Sequence, residues 1–365
     1  MPASVYLDSC LAYKAETIAE SLRRGLSALN LEDSVRSGDR VLLKPNLIMA
    51  KAPELATTTH PEVVRAVAMV LKDCGARLFL GDSPGFGSLD RCLEKSGLQS
   101  VMKKMDIAKV YFTEETTVMD NNNLIAKKLT LATAAFAYDK IINLPKLKTH
   151  SMMGSTLAVK NLFGFIPGLM KIKWHLRAGH NRQLFARIML DIYRQVTPVW
   201  NFIDGIVAME GEGPTGGQPR HCGLLALAAE APLLDCLVEK WSGLSAMTPI
   251  SQEAQKLGWL PAERLVAAGP AAASPLSPAL KPAQGATRAT FPGQRLWRRL
   301  LVLKPQITRS RCQLCRVCVQ HCPAQAMQLL NNKIVIDYKR CIRCYCCQEL
   351  CPYGAVRVGY GLVFW

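Results

Sequence analysis

Four apolar runs in the first two thirds of the chain each stop at a polar cluster: "RVLLKPNL" (40–47), "ARLFLGDSPG" (76–85), "KIINLPKLKTH" (140–150) and "VWNFIDGIVAMEGEGPTGG" (199–217). Between them lie stretches with helical spacing, such as "HPEVVRAVAMVLKDCG", which carries proline near its start and glycine past its end. Short apolar strands alternating with amphipathic helices predict an α/β domain over residues 1–263, a mostly parallel sheet with flanking helices. Ligands of such sheets bind beyond the carboxyl ends of the strands. The four polar clusters are therefore expected on one rim.

The pattern changes after residue 263. "AAGPAAASPLSPALKPAQGATRATFPGQ" (267–294) is rich in Pro, Ala and Ser and poor in large apolar residues, which predicts an extended linker within 264–306 and a tethered third segment, 307–365. The linker ends in "RLWRRLLVL", where Arg295, Arg298 and Arg299 stand beside Leu296, Trp297, Leu300 and Leu301. A basic amphipathic helix of this kind docks a small domain on a larger one or lies on an anionic membrane, docking being the commoner use.

Nine of the 14 cysteines fall in the last 54 residues. Cys312, Cys315, Cys318 and Cys322 before Pro323 read C-x2-C-x2-C-x3-C-P, and Cys341, Cys344, Cys347 and Cys351 before Pro352 repeat the spacing 29 residues later. This is bacterial ferredoxin spacing, in which a tight loop presents three thiolates to one cluster and the fourth cysteine ligates the other. Two [4Fe-4S] clusters follow, one on Cys312, Cys315, Cys318 and Cys351, the other on Cys341, Cys344, Cys347 and Cys322. "NNKIVIDYKR" between the halves supplies a turn and a short alternating strand, so residues 307–365 are expected to form a small α+β ferredoxin-like domain. Zinc is the alternative for all-cysteine sites, but it is usually held by two separated C-x2-C pairs. Cys346 falls outside the spacing and is read as packing.

The chain of 365 residues is long enough for two or three domains. Its net charge of +17 is uneven, since residues 264–365 hold 15 basic and 2 acidic side chains. Such a surface suits an acidic redox partner, an anionic membrane or nucleic acid. Nucleic acid is disfavoured because no stacking repeat or reading head accompanies the charge. No run of 18 apolar residues and no basic-then-apolar leader is present, which predicts a cytoplasmic protein.

On the expected rim, Lys44, Asn46, Asp82, Ser83, Lys146, Lys148, His150, Lys160, Asn161, Asp204, Glu210 and Glu212 gather beside glycine-rich turns. Ammonium groups and free backbone N–H groups both favour an anionic ligand. Each cluster is also ordinary turn chemistry, and "GEGPTGG" lacks the Gly-Lys-Ser/Thr of a phosphate loop; the signal is the set of four. Lys44, Asn46, Asp82, Lys160, Asn161 and Asp204 are candidates to hold a ligand or cofactor. Lys146, Lys148, Glu210 and His150 are candidates to act on it, His150 as proton donor. The remaining histidines show no metal-binding spacing.

The stretches "LLKPNL", "THPEVVRAV", "GDSPG", "LPKLKTH", "AVKNLFGFIPG", "DGIVAMEGEGPTGG" and "CIRCYCCQELCP" resemble the domain of unknown function 362 family, often fused to a ferredoxin module. The resemblance covers about residues 5–245 and 307–358 and implies an iron-sulfur protein. The order of the first motifs is also similar to the N-terminal domain of the lactate-racemase superfamily, whose members bind anionic hydroxy acids; no motif here supports that superfamily's metal-pincer cofactor. The expected function is an iron-sulfur oxidoreductase that relays electrons to or from a small anion or cofactor on the α/β domain. The alternative is a ferredoxin-type carrier or adaptor whose first domain binds a partner protein and catalyses nothing.

Overall fold

The computed structural model describes residues 4–168, 170–244, 248–284 and 301–362. The strands of the first domain are β1 Val5–Ser9, β2 Arg40–Pro45, β3 Arg77–Asp82, β4 Ala108–Tyr111, a separate hairpin of β5 Glu115–Met119 and β6 Lys128–Ala132, then β7 Lys140–Leu144, β8 Lys146–His150, β9 Gly154–Thr156, β10 Trp200–Glu210, β11 Gln218–Ala228 and β12 Ala267–Ala268. The main sheet runs β12-β1-β11-β10-β7-β2-β3-β4, with β8 and β9 attached beyond β10. Pairings from β10 through β7, β2 and β3 to β4 are parallel, whereas β11 is antiparallel to both β1 and β10. The sheet is thus mostly parallel with an antiparallel insertion.

Alternation along β2 builds a core on each face. Val41 and Leu43 pack with the helices Ala15–Ala28 and Pro61–Asp73, and Leu42 packs with the helices Arg182–Val196 and Ala231–Ser242. Coverage on both faces is what near-continuous apolar strands require. The helix Pro61–Asp73 begins as its sequence indicates, with Pro61 at the first position and the His60 side chain accepting from the Glu62 N–H.

Two of the four runs continue differently from expectation. "KIINLPKLKTH" is two strands, because Pro145 has no N–H for the ladder; β7 stays in the sheet between β2 and β10, while β8 shifts register along β10. β10 itself runs 11 residues, out to Glu210. Asp204 is consequently mid-strand rather than at a strand end.

The expected linker is also shorter. β12 pairs with β1, Leu280 and Ala283 are buried, and the Gly211 N–H donates to the Lys281 carbonyl, so residues 264–284 belong to the α/β domain. Leu301–Ile307 is a strand paired with Val356–Leu362, which moves the start of the ferredoxin domain back to 301 and puts Leu301 in a strand rather than a helix. Arg295, Leu296, Trp297, Arg298, Arg299 and Leu300 lie outside the described residues. In the ferredoxin domain, Met327–Leu330 and Lys333–Ile336 form a hairpin whose turn residues Asn331 and Asn332 both have positive φ, the conformation Asn tolerates best after glycine. Among the described residues no helix is long and apolar enough to cross a membrane.

Candidate active site between the two domains

The cysteines of the C-terminal domain sort into two small cavities. Cys312, Cys315, Cys318 and Cys351 line one, and Cys322, Cys341, Cys344 and Cys347 line the other, with Cys346 at its edge. Each set takes three thiols from one four-cysteine run and the fourth from the other run. Among the described residues no three His, Cys, Asp or Glu side chains close around a single ion. Four thiols spread around a cavity fit a polynuclear cluster better than one tetrahedral zinc.

The ferredoxin domain is packed on the rim of the α/β domain rather than held off by a tether. Gln348 Nε2 donates to the Gly213 carbonyl at 3.0 Å, Thr215 Oγ1 to the Glu349 carbonyl at 3.2 Å, and Lys51 Nζ to the Pro352 carbonyl. Phe86 meets His321 edge to face with ring centres 5.9 Å apart. Between the domains is a cavity of about 290 Å³, the lower end of the small-molecule range. One wall carries Asn46, Asp82, Lys148, Lys160, Asn161 and Lys171; His321, Cys346, Glu349 and Leu350 of the ferredoxin domain form the other.

Strand periodicity explains the lysines. In β8 every second residue points the same way, so Lys146, Lys148 and His150 share a side. Lys148 is fully buried and donates to Asn46 Oδ1 at 2.6 Å and to the Thr57 carbonyl at 2.8 Å. Burial, then the charges of Lys160 and Lys146, hold its amine well below the ordinary lysine range. Asn46 in turn donates to Asn161 Oδ1 at 2.7 Å, which ties the β2 end to the helix Ala158–Asn161. That helix is fixed from below by Asp235, whose carboxylate accepts from the Ala158 and Val159 N–H groups at 2.7 and 3.0 Å.

Asp82 joins the ends of β2 and β3, accepting from the Leu47 and Ser83 N–H groups and pairing with Lys44 at 2.9 Å. Gly164 lies over this pair, where a Cβ would fall 2.2 Å from Asp82 Oδ1. Lys44 is behind the cavity wall. Lys171, from the helix Met170–Ala178, reaches the cavity and donates to the Ser83 hydroxyl at 2.7 Å and carbonyl at 2.9 Å; burial lowers it to about 7 against the attraction of Asp82.

Three expected site residues are elsewhere. Lys146 and Asp204 form their own buried pair at 2.8 Å, closed by the Tyr13 hydroxyl, by the His60 N–H and by stacking of Tyr13 on His60. Glu210 pairs with Arg220 at 2.9 Å and accepts from the Lys281 N–H, at the far end of β10. Both groups have their partners within the fold and do not line the cavity.

His150 is completely buried, its Nδ1 accepting from the Met152 and Met153 N–H groups. The ring proton is therefore on Nε2, which lies 3.1 Å from Glu349 Oε1 but is not aimed well enough for a hydrogen bond. Burial lowers His150 to about 4, so it is neutral near pH 7 and carries no spare acidic proton. Glu349, 3.8 Å from Lys160, stays ionised: burial raises its carboxyl, but the Lys160 ammonium leads the attractions that outweigh that. The Glu349, Lys171, His175 and Thr156 contributions to the cavity were not anticipated. Glu349 is embedded in "CYCCQELCP", where the cysteines absorb all attention, and Lys171 stands in a basic helix with no mark of which face turns inward.

A family model described as "Domain of unknown function (DUF362)" matches residues 41–238, more than half of the chain. The chain belongs to the DUF362 family. Its DUF362 domain is followed by a match to a 4Fe-4S dicluster domain over residues 304–352, so it carries an iron-sulfur electron-transfer module. A thylakoid-associated protein of Synechocystis sp. is 38% identical over 263 residues, 72% of this chain and 81% of the relative. Among solved structures, the lactate racemase apoprotein of Thermoanaerobacterium thermosaccharolyticum aligns at TM-score 0.43 and 13% identity, over 67% of this chain and 58% of that one. A Thermotoga maritima protein aligns at TM-score 0.39 and 11% identity, over 68% and 59%. The chain thus spans under two thirds of either structure.

Proposed function

We propose that this DUF362 protein is an iron-sulfur oxidoreductase whose ferredoxin domain exchanges electrons with a small anion seated in the interdomain cavity. The observation that carries the reading is the shared cavity itself. Buried lysines of the α/β domain line one wall, and residues between the cluster cysteines line the other. When bound at the eight thiols, two [4Fe-4S] clusters supply single electrons.

The chain's own residues do the rest. Lys148, Lys160 and Lys171 attract the anion, and an anion among them restores the ammonium forms of Lys148 and Lys171, which burial and neighbouring ammonium groups disfavour. Asn46 and Asn161 hold Lys148 in place, and Asp82 and Ser83 orient Lys171. Phe163, Ile172 and Leu350 exclude water around the apolar part of the ligand. A protein-binding adaptor without catalysis has no use for buried cations around an interior cavity. The thylakoid association of the relative supports a peripheral membrane contact for this chain too, testable by sedimentation with anionic vesicles.

The deciding experiment reduces anaerobically reconstituted protein, carrying about eight irons per chain, and mixes it with small carboxylates and phosphates. At least one anion that carries a reducible group, such as a 2-oxo acid, an unsaturated carboxylate or a phosphorylated carbonyl compound, should take the electrons and reoxidise the wild type about tenfold faster than Lys148→Met at subsaturating anion, with equal iron content in both. Equal rates for every anion overturn the reading.

A further inference from the structure

The two four-thiol sites differ in what surrounds them. The site of Cys322, Cys341, Cys344 and Cys347 abuts the interdomain cavity: His321 and Cys346, each next to one of its ligands in sequence, line that cavity. The site of Cys312, Cys315, Cys318 and Cys351 has Cys315 exposed, with Gln313, Arg316 and Tyr353 around its mouth. Electron transfer slows steeply with distance, so the exposed site is the one a second protein can reach.

The surface at that site is strongly one-signed. Arg309, Arg311, Arg316 and Arg357 are exposed on the segments flanking Cys312, Cys315 and Cys351. Among the described residues, Arg309, Arg311 and Arg316 have no ion-pair partner. Residues 307–365 contain only two acids, Asp337 and Glu349, and Glu349 is buried at the cavity. Tyr353, 49% exposed, lines the same site as Arg316 and adds an aromatic ring of the kind found in protein interfaces.

We propose that this arginine face is the docking surface for an acidic one-electron carrier protein, and that electrons enter at the Cys312–Cys315–Cys318–Cys351 site and leave toward the cavity from the other. The inference rests on the proposed redox function and adds its partner and polarity. The reduced carrier loses one electron and the exposed site gains one; no proton or group moves between the proteins. Complementary charge raises the encounter rate and fixes orientation, and salt weakens both. Lys339 and Arg340, beside Cys341, make a second exposed basic pair and serve as the control.

The test uses iron-loaded full-length protein and an acidic plant-type [2Fe-2S] ferredoxin as the probe, with affinity read by calorimetry at two salt concentrations. The triple variant Arg309→Glu, Arg311→Glu, Arg316→Glu should bind at least about thirtyfold more weakly at low salt. The pair Lys339→Glu, Arg340→Glu should lose less than about threefold. Arg316 has positive φ, so Arg309→Gln with Arg311→Gln, expected to lose about fivefold, keeps the test decisive if the triple variant does not load iron. A larger loss in the control pair, or unchanged affinity in the triple variant, overturns the proposal. So does a loss confined to anionic vesicles while the ferredoxin still binds. If the ferredoxin binds as expected and no small anion reoxidises the clusters, the docking surface stands and the catalytic reading falls.

Discussion

Lys171 is a cavity residue whose charge changes near neutrality. An ordinary lysine is charged well past pH 9; burial brings this one to about 7. Its ammonium form predominates below that value and its neutral amine above it. Because the bound anion favours the ammonium, affinity must fall as pH rises through 7. A single required charge at that value predicts about tenfold weaker binding at pH 8 than at pH 6. Lys171→Met should bind phosphate or small carboxylates more weakly at pH 6 and lose most of the slope, as read by calorimetric titration. A slope unchanged in Lys171→Met assigns the titration to another group. His150 contributes no limb in this range, since it is already neutral above about 4.

At the scale of elements, the site depends on how the short helix Ala158–Asn161 is held. Its first two N–H groups are buried against Asp235 and would find no water if the carboxylate were removed. Asp235→Ala should destabilise the protein by about 1–3 kcal/mol for each N–H left unpaired, less the relief of the burial and of the Glu239 repulsion that together hold the Asp235 carboxyl well above its ordinary range. Lys160 and Asn161 would shift with the helix, so anion affinity should fall too, while Asp235→Asn, which keeps one acceptor, should lie between. Thermal unfolding alongside an anion titration separates this from a purely structural role.

The strands that build this rim were legible because an apolar run ending in a polar turn has few other solutions. The alternation in "KLKTH" likewise puts Lys146, Lys148 and His150 on one side. What alternation does not encode is depth: β10 continues past Asp204 to Glu210, so that Lys146 meets Asp204 and is neutralised, while Lys148 goes on to the cavity. The crosswise sorting of thiols follows from the repeated spacing and is the pairing that the two cavities display. Glu349 was hidden because its role depends on a docking geometry that no local pattern records.

For the whole molecule, the arrangement requires the ferredoxin domain to stay seated. The two backbones come close together at Gly216 and Gly354: a Cβ at Gly216 would lie 3.2 Å from the Gly354 Cα, and one at Gly354 would lie 3.0 Å from the Gly216 Cα. Gly354 also has φ +57°, so a substitution there strains its own turn beside Cys351. Gly216 is the cleaner probe, since its φ is ordinary and a Cβ there meets first the Gly354 backbone and its own Glu212 carbonyl, each at 3.2 Å. Gly216→Val adds two methyl groups where even the Cβ is already tight, and overpacking of this kind costs about 1–3 kcal/mol. That cost falls on the interface and on the Glu212–Gly216 turn rather than on the cluster sites, because the eight thiols and their hairpin are internal to residues 301–362. The variant should therefore keep its iron and its ferredoxin-type spectrum, yet show faster hydrogen exchange at Gly213–Thr215 and Gln348–Leu350 and slower reoxidation by the anion. If reoxidation is as fast as in wild type while exchange is faster, electrons do not need the seated arrangement, and the cavity wall shared by the two domains is not where the chemistry takes place.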